Sequence, residues 1–251
     1  MLATDSWIYL DLQKTGCTFM RKKLLEIFPN ESYIEEKKHK VQSEYSDLPK
    51  IITIRDPYQY YFSLWRYGLE KRGGFYKRIN TISKKLSDEM YNTPSKKSFS
   101  RFLDYVLYEN PFKSKHFWLP SSFDLYTRRI LSMIIPVSSR SSFLEEIDSD
   151  YQSPEVLLKA ATPFIPEVLI RTNSLNSDFH RLANQGALDF LNLTDGWEKL
   201  FPINSKAENT SISIKKNRIE DYLLPGWKNI IKSKSSLSFM MLEKASSQFN
   251  S

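Results

Sequence analysis

The chain is poor in cysteine, histidine and glycine, with one, three and seven in 251 residues. A lone Cys17 excludes an internal disulfide framework and a cysteine-built zinc site. His39, His116 and His180 are too few for a histidine-rich metal centre. Long apolar runs are missing too. The longest lies near Ile130–Val137, is interrupted by Ser132, and falls far short of the roughly 18 residues a membrane span needs. The apolar stretch Trp7–Leu12 is too short for a secretory signal and lacks a cleavage site. Heptads, internal repeats and low-complexity segments are also absent. These absences imply a soluble, reduced, cytoplasmic protein without stable membrane insertion. With glycine so scarce, Gly16 is expected to have a backbone reason.

What is present is an average globular composition, 41% hydrophobic and 26% charged, enough for one core and a single domain over residues 1–251. The net charge is +7, from 36 Lys and Arg against 29 Asp and Glu. It suits anionic partners such as phosphate, sulfate, nucleic acid or acidic sugars. From Arg66 to Arg101 there are ten basic residues and three acidic ones, Glu70, Asp88 and Glu89. Sparse apolar positions in this stretch predict a solvated basic excursion at about residues 70–101, beside a site.

Two segments share one local plan. Trp7–Leu12 reads as a short apolar strand, Gln13–Cys17 as a turn, and Thr18 opens an amphipathic helix that Pro29 stops. Lys50–Ile54 is a continuous apolar strand of the kind buried in a parallel sheet. Asp56 follows as N-cap and Pro57 as first helical residue, with an aromatic helix over Tyr58–Leu69. Further helices are predicted at Ser98–Tyr108, Ser121–Leu131, Pro154–Ala161, Asp178–Asn184, Ile219–Lys232 and Ser236–Phe249, and a strand at Val168–Arg171. Alternation of strands and helices predicts an α/β fold with a mostly parallel sheet.

The chemistry is carried by two loops. In Leu12–Met20 a strand enters, the backbone turns at Gly16 and a helix leaves. Such a turn aims backbone N–H groups into a concavity suited to phosphate or sulfate. Lys14 adds positive charge, and Thr15 and Thr18 add hydroxyl donors. The order is not G-x-x-x-x-G-K-[ST], so the loop is no Walker A motif. In the second loop Arg55 stands just past the carboxyl end of a strand, where open α/β sheets bind ligands, and Ser63 lies eight residues later on the following helix. Arginine offers a planar fork for a second phosphate, and serine can donate to the same group.

Together the two loops resemble the PAPS-dependent sulfotransferase family, whose donor is 3′-phosphoadenosine 5′-phosphosulfate. The family's first loop, P-K-[TA]-G-[TS]-[TS], is matched by Gln13-Lys14-Thr15-Gly16-Cys17-Thr18, with Cys17 in place of the commoner hydroxyl residue. Its second, R-[DN]-P-[YW] and a serine, is matched by Arg55-Asp56-Pro57-Tyr58 and Ser63. Looser likenesses are Leu169–Thr172 with Leu175 and Asp178-Phe179, where Asn173 replaces an acid, and Asn209-Thr210-Ser211 before the closing helices, similar to carbohydrate-type members.

The resemblance implies a three-layer P-loop-NTPase-like fold, a central mostly parallel sheet flanked by helices. It implies PAPS as donor, PAP (adenosine 3′,5′-bisphosphate) as product, no metal, and a hydroxyl of a carbohydrate or glycolipid as acceptor. Lys14 would serve the leaving oxygen, the amides of Thr15, Gly16, Cys17 and Thr18 the sulfate and 5′-phosphate, and Arg55 and Ser63 the 3′-phosphate. Lys215 and Lys216 would belong to a basic loop over that phosphate. The resemblance would make His39 the general base, since a histidine's ordinary pKa of about 6.5 allows it to accept a proton at neutral pH; Glu35, Glu36 and Glu44 are alternatives. His116 could line the acceptor pocket. A nucleotide kinase or NTPase-like enzyme and a basic protein binding nucleic acid or another polyanion are the competing readings. The former needs ATP and Mg²⁺; the latter has no recognisable binding motif here.

Overall fold

In a computed structural model, residues 1–31, 33–35, 47–108, 118–120, 122–147, 153–203 and 218–248 are described. They form an α/β protein around a five-stranded sheet. Its strands are β1 (Leu2–Ala3), β2 (Ile8–Leu10), β3 (Ile34–Glu35), β4 (Lys50–Ile54) and β5 (Val168–Arg171), ordered β3-β1-β2-β4-β5. β2 pairs parallel with β4 and β4 with β5, whereas β1 pairs antiparallel with both β2 and β3. Four of the five strands therefore run the same way. β1 and β3 are two-residue strands, too short for any alternation to announce them.

The register puts Tyr9, Ile51, Thr53, Val168 and Ile170 on one face, and Ile8, Leu10, Ile52, Ile54 and Leu169 on the other. Both sets are buried. That is why β4 reads as an unbroken apolar run: a strand covered on both sides has no solvent-facing position to mark with a polar residue. On the first face, Met20, Leu24 and Ile27 of α1 (Cys17–Ile27) and Leu175, Phe179 and Leu182 of α9 (Leu175–Asn184) join the core.

The chain divides into two compact units interleaved along it. Met1–Arg55, Arg128–Ala207 and Leu237–Ser251 form one; Asp56–Thr127 and Glu208–Ser236 form the other. The chain passes between them four times, so no linker composition betrays the division. The first unit holds the sheet, α1 and α9, together with α7 (Arg140–Ile147), α8 (Pro154–Ala161) and α11 (Ser236–Ser247).

The second unit is helical. α2 (Pro57–Leu69) starts as predicted: Asp56 accepts from the Gln59 N–H at 2.9 Å and Pro57 occupies the first turn. Its Tyr60, Tyr61, Phe62 and Trp65 are buried. The basic stretch is built of α3 (Gly73–Ile82), α4 (Lys84–Tyr91) and the start of α5 (Lys96–Leu107), with most of its lysines exposed. Ser83 caps α4, and Ser95 forms a reciprocal capping box with Ser98. Phe75, Ile79, Met90, Tyr91 and Phe99 are buried, and the lysines between them had diluted that pattern. Gly68 explains itself here, since a Cβ on it would lie 2.2 Å from the Tyr91 ring. α6 (Leu125–Ile134) carries the chain on to the first unit, and α10 (Pro225–Lys234) completes the second. No helix among the described residues is long and apolar enough to cross a membrane.

Candidate anion-binding site

The three parallel strands β2, β4 and β5 end at the same edge of the sheet, Ile54 paired with Arg171 and Leu10 with Ile52. The segment that follows each one contributes to a single knot of backbone contacts at the carboxyl edge of the sheet, all within the first unit.

The first contribution is the loop between β2 and α1. Lys14 and Gly16 both have left-handed backbone, φ 71° and 84°. For Gly16 this is easy; for Lys14 it costs of order 1–2 kcal/mol, which the surroundings must impose. Three carbonyls of the loop are each held by a side chain. Leu12 C=O accepts from the Thr15 hydroxyl at 2.7 Å, Lys14 C=O from Arg55 Nη1 at 3.2 Å, and Thr15 C=O from the Thr172 hydroxyl at 2.8 Å. In a trans peptide the N–H points opposite to the preceding C=O. The N–H groups of Gln13, Thr15 and Gly16 therefore each point away from the side chain that holds the preceding carbonyl. α1 begins immediately after, with Gly16 as N-cap and no side-chain cap; its first internal bond is Met20 N–H to Gly16 C=O, 3.1 Å. The N–H groups ahead of that bond have no acceptor inside the helix, and the dipole favours an anion there. The buried Asp11 at the loop's entrance has Arg21 of α1 at 3.6 Å, which offsets its charge.

Beneath the loop runs a buried chain of hydroxyls, with Thr15 and Thr53 2.9 Å apart and Thr53 and Tyr9 2.9 Å apart. Proton counting fixes its direction. Thr15 spends its one proton on Leu12 C=O, so Thr53 donates to Thr15 and Tyr9 donates to Thr53. Tyr9 must stay protonated to do this, and burial pushes its pKa well above that of an ordinary phenol.

β4 supplies Arg55, half-buried, with Nη1 on the Lys14 carbonyl. β5 supplies Thr172, whose hydroxyl also lies 2.7 Å from Ile54 C=O. Arg171, just before it, pairs in a fork with Asp178 of α9, at 2.8 and 2.7 Å, and Asp178 is fully buried. The carboxylate partner of this arginine thus comes from α9.

Of the predicted site residues, Lys14, Thr15, Gly16, Cys17, Thr18 and Arg55 are brought together. Thr15 requires a correction. Its side chain is fully buried and its hydroxyl faces the core, so only its backbone can serve an anion. Cys17 is buried in the core beneath α1, while Thr18 is exposed. Ser63 stands half-buried in the second turn of α2, in the second unit. His39, Lys215 and Lys216 lie outside the described residues, as do Glu36, Glu44 and His116; Glu35 ends β3. Sequence reasoning missed Tyr9, Thr53 and Thr172. One signal for Thr53 existed, as the single hydroxyl in the apolar run Lys50–Ile54. The chain matches no protein-family model, no curated protein and no solved structure.

Proposed function

We propose that this chain is a PAPS-dependent sulfotransferase of three-layer P-loop-like architecture that moves a sulfuryl group to a hydroxyl of a carbohydrate or glycolipid. The observation that carries this reading is the β2–α1 loop. Its carbonyls are held by Thr15, Arg55 and Thr172, Lys14 sits within it in left-handed backbone, α1 opens directly after it, and the guanidinium that follows β4 reaches back to it. That arrangement fits an anion better than it fits a plain connection, because a plain turn gives no reason to hold a lysine in left-handed backbone.

In this reaction a bond forms from the acceptor oxygen to sulfur and the bond from sulfur to the 5′-phosphate oxygen breaks. Charge grows on the departing oxygen, and the acceptor proton must leave. Lys14 supplies the countercharge, and the amides of Gly16–Thr18 supply fixed dipoles. Arg55 answers the 3′-phosphate that separates this donor from ATP, and His39 takes the proton. An acidic acceptor is supported by charge placement. Arg66–Arg101 carries ten bases against three acids, an excess of seven that equals the whole chain's net charge of +7. Its acids Glu70, Asp88 and Glu89 already face Arg72, Lys84 and Arg101. The single, buried Cys17 suits a reducing cytoplasm.

The test is calorimetric titration with adenosine 3′,5′-bisphosphate, 5′-AMP and ATP, with and without Mg²⁺. Metal-independent binding that needs the 3′-phosphate is the expected result. Equal binding of all three, or a requirement for Mg²⁺ and ATP, would overturn the reading in favour of a polyanion-binding or kinase-like protein. Given donor binding, a His39→Ala protein should bind the bisphosphate normally and turn over negligibly; retained turnover passes the base role to a glutamate.

A further inference from the structure

We propose that Thr172 is a positioning residue that sets the spacing between the two anion-binding segments, and so sets the preference for a ligand carrying two phosphates; the inference rests on the donor-site reading above. Its hydroxyl lies 2.8 Å from Thr15 C=O and 2.7 Å from Ile54 C=O. A threonine has one hydroxyl proton, so the two carbonyls share it and must stay close to the same point. Each carbonyl belongs to a peptide plane that matters. The Thr15 plane carries the Gly16 N–H at the mouth of α1. The Ile54 plane carries the N–H of Arg55 and sets the direction in which that residue leaves β4. One proton thus fixes two planes from different strands.

The other branch of the same side chain acts on the same loop. A Cβ placed on Gly16 would meet Thr172 Cγ2 at 3.5 Å and Leu175 Cδ1 at 3.3 Å, so the methyl lies against the face of Gly16. Because both substituents sit on Cβ, the hydroxyl and the methyl cannot choose their positions independently, and χ1 is stiff. The base of the side chain is anchored as well. Arg171, immediately before it, donates through Nε and Nη2 to the buried Asp178, and its backbone N–H donates to the same carboxylate at 3.0 Å. The Arg55 contact with Lys14 C=O is a second tie between the segments, but it involves the very group meant for the phosphate. Thr172 makes its tie without engaging the ligand. It is therefore the residue that can hold the spacing both before and after binding.

The experiment is titration of the wild-type chain and of Thr172→Val and Thr172→Ser, each with adenosine 3′,5′-bisphosphate and with 5′-AMP, together with a thermal melt. Valine keeps the shape and removes the proton; serine keeps the proton and removes the methyl. The expected result is that the wild-type preference for the bisphosphate over 5′-AMP falls about tenfold in Thr172→Val and stays within about threefold in Thr172→Ser. An unchanged preference in Thr172→Val overturns the inference, and so does an equal loss of affinity for both nucleotides, which marks a purely structural role. A wild-type protein without preference for the bisphosphate removes the donor-site reading itself, and the inference falls with it. Should Thr172→Val unfold before it can be titrated, Thr172→Cys puts a weaker donor in nearly the same volume; a wild-type preference there also overturns the proposal.

Discussion

Arg55 Nη1 donates to the carbonyl oxygen of Lys14, 3.2 Å away and forty-one residues earlier in the chain. The contact braces the first loop, and under the proposed function the same guanidinium also answers an anion. Its removal should therefore be felt at both ends of a bound nucleotide. Arg55→Ala is expected to weaken bisphosphate binding by about 1.5–3 kcal/mol, the range for a charged hydrogen-bonded contact, and to weaken 5′-AMP by a smaller amount through the loosened loop. Titration calorimetry reads both, and unchanged bisphosphate affinity would remove Arg55 from the 3′-phosphate.

Lys14 combines a cation with a left-handed backbone, φ 71°. The two can be separated. Lys14→Gly keeps a residue at ease in that conformation and removes the charge. The melting temperature should hold or rise, because the relief of strain offsets the greater freedom of glycine in the unfolded chain. Turnover should fall by orders of magnitude while bisphosphate affinity changes little. A clear drop in melting temperature would mean that the lysine side chain stabilises the fold, and normal turnover would take it out of the chemistry.

The parts of this architecture that follow a periodic rule were legible. Lys50–Ile54, Pro154–Ala161 and Val168–Arg171 match their predicted bounds, and the Asp56-Pro57 helix start is as read. The two loops were legible because tight turns at strand ends constrain residue type. Two kinds of feature were hidden. β1 and β3 exist through pairing with neighbours rather than through any pattern of their own. The contacts of Thr172 with Thr15 and Ile54 bridge 157 and 118 positions, and sequence holds no signal for a hydroxyl aimed across strands. The inward turn of the Thr15 hydroxyl was misread in part for the same reason, since besides Leu12 C=O it meets Thr53, thirty-eight residues away on β4.

Thr53 is the middle link of the hydroxyl chain, accepting from Tyr9 and donating to Thr15. Thr53→Val preserves its shape and leaves Thr15 without a donor and the Tyr9 hydroxyl without an acceptor, both in the core. A buried group left unpaired costs about 1–3 kcal/mol, so urea unfolding should show a loss in that range. Tyr9→Phe combined with Thr53→Val should restore part of it, because the orphaned phenol is then gone. A double variant no more stable than the single one would show that the Tyr9 hydroxyl does not depend on Thr53.

In the second unit, Asp124 is fully buried, and one carboxylate oxygen accepts from the Tyr61 hydroxyl and from the N–H groups of Tyr126 and Thr127 at 2.9 and 3.1 Å. Burial raises its pKa above the ordinary 3.8, and these hydrogen bonds only partly oppose the shift. The folded protein therefore holds this proton more tightly than the unfolded chain does. The stability that follows is complete below the ordinary aspartate pKa and is lost as pH rises through the raised value. Asp124→Asn presents an oxygen to the same three donors and does not titrate. The stability of wild type relative to Asp124→Asn should fall as pH is raised from about 4, with a slope no steeper than about 1.4 kcal/mol per pH unit. Urea unfolding of both proteins between pH 4 and 8 measures this difference directly. A difference that is flat, or that grows with pH, would mean that the carboxylate is stabilised in place as an anion and that its three donors outweigh its burial.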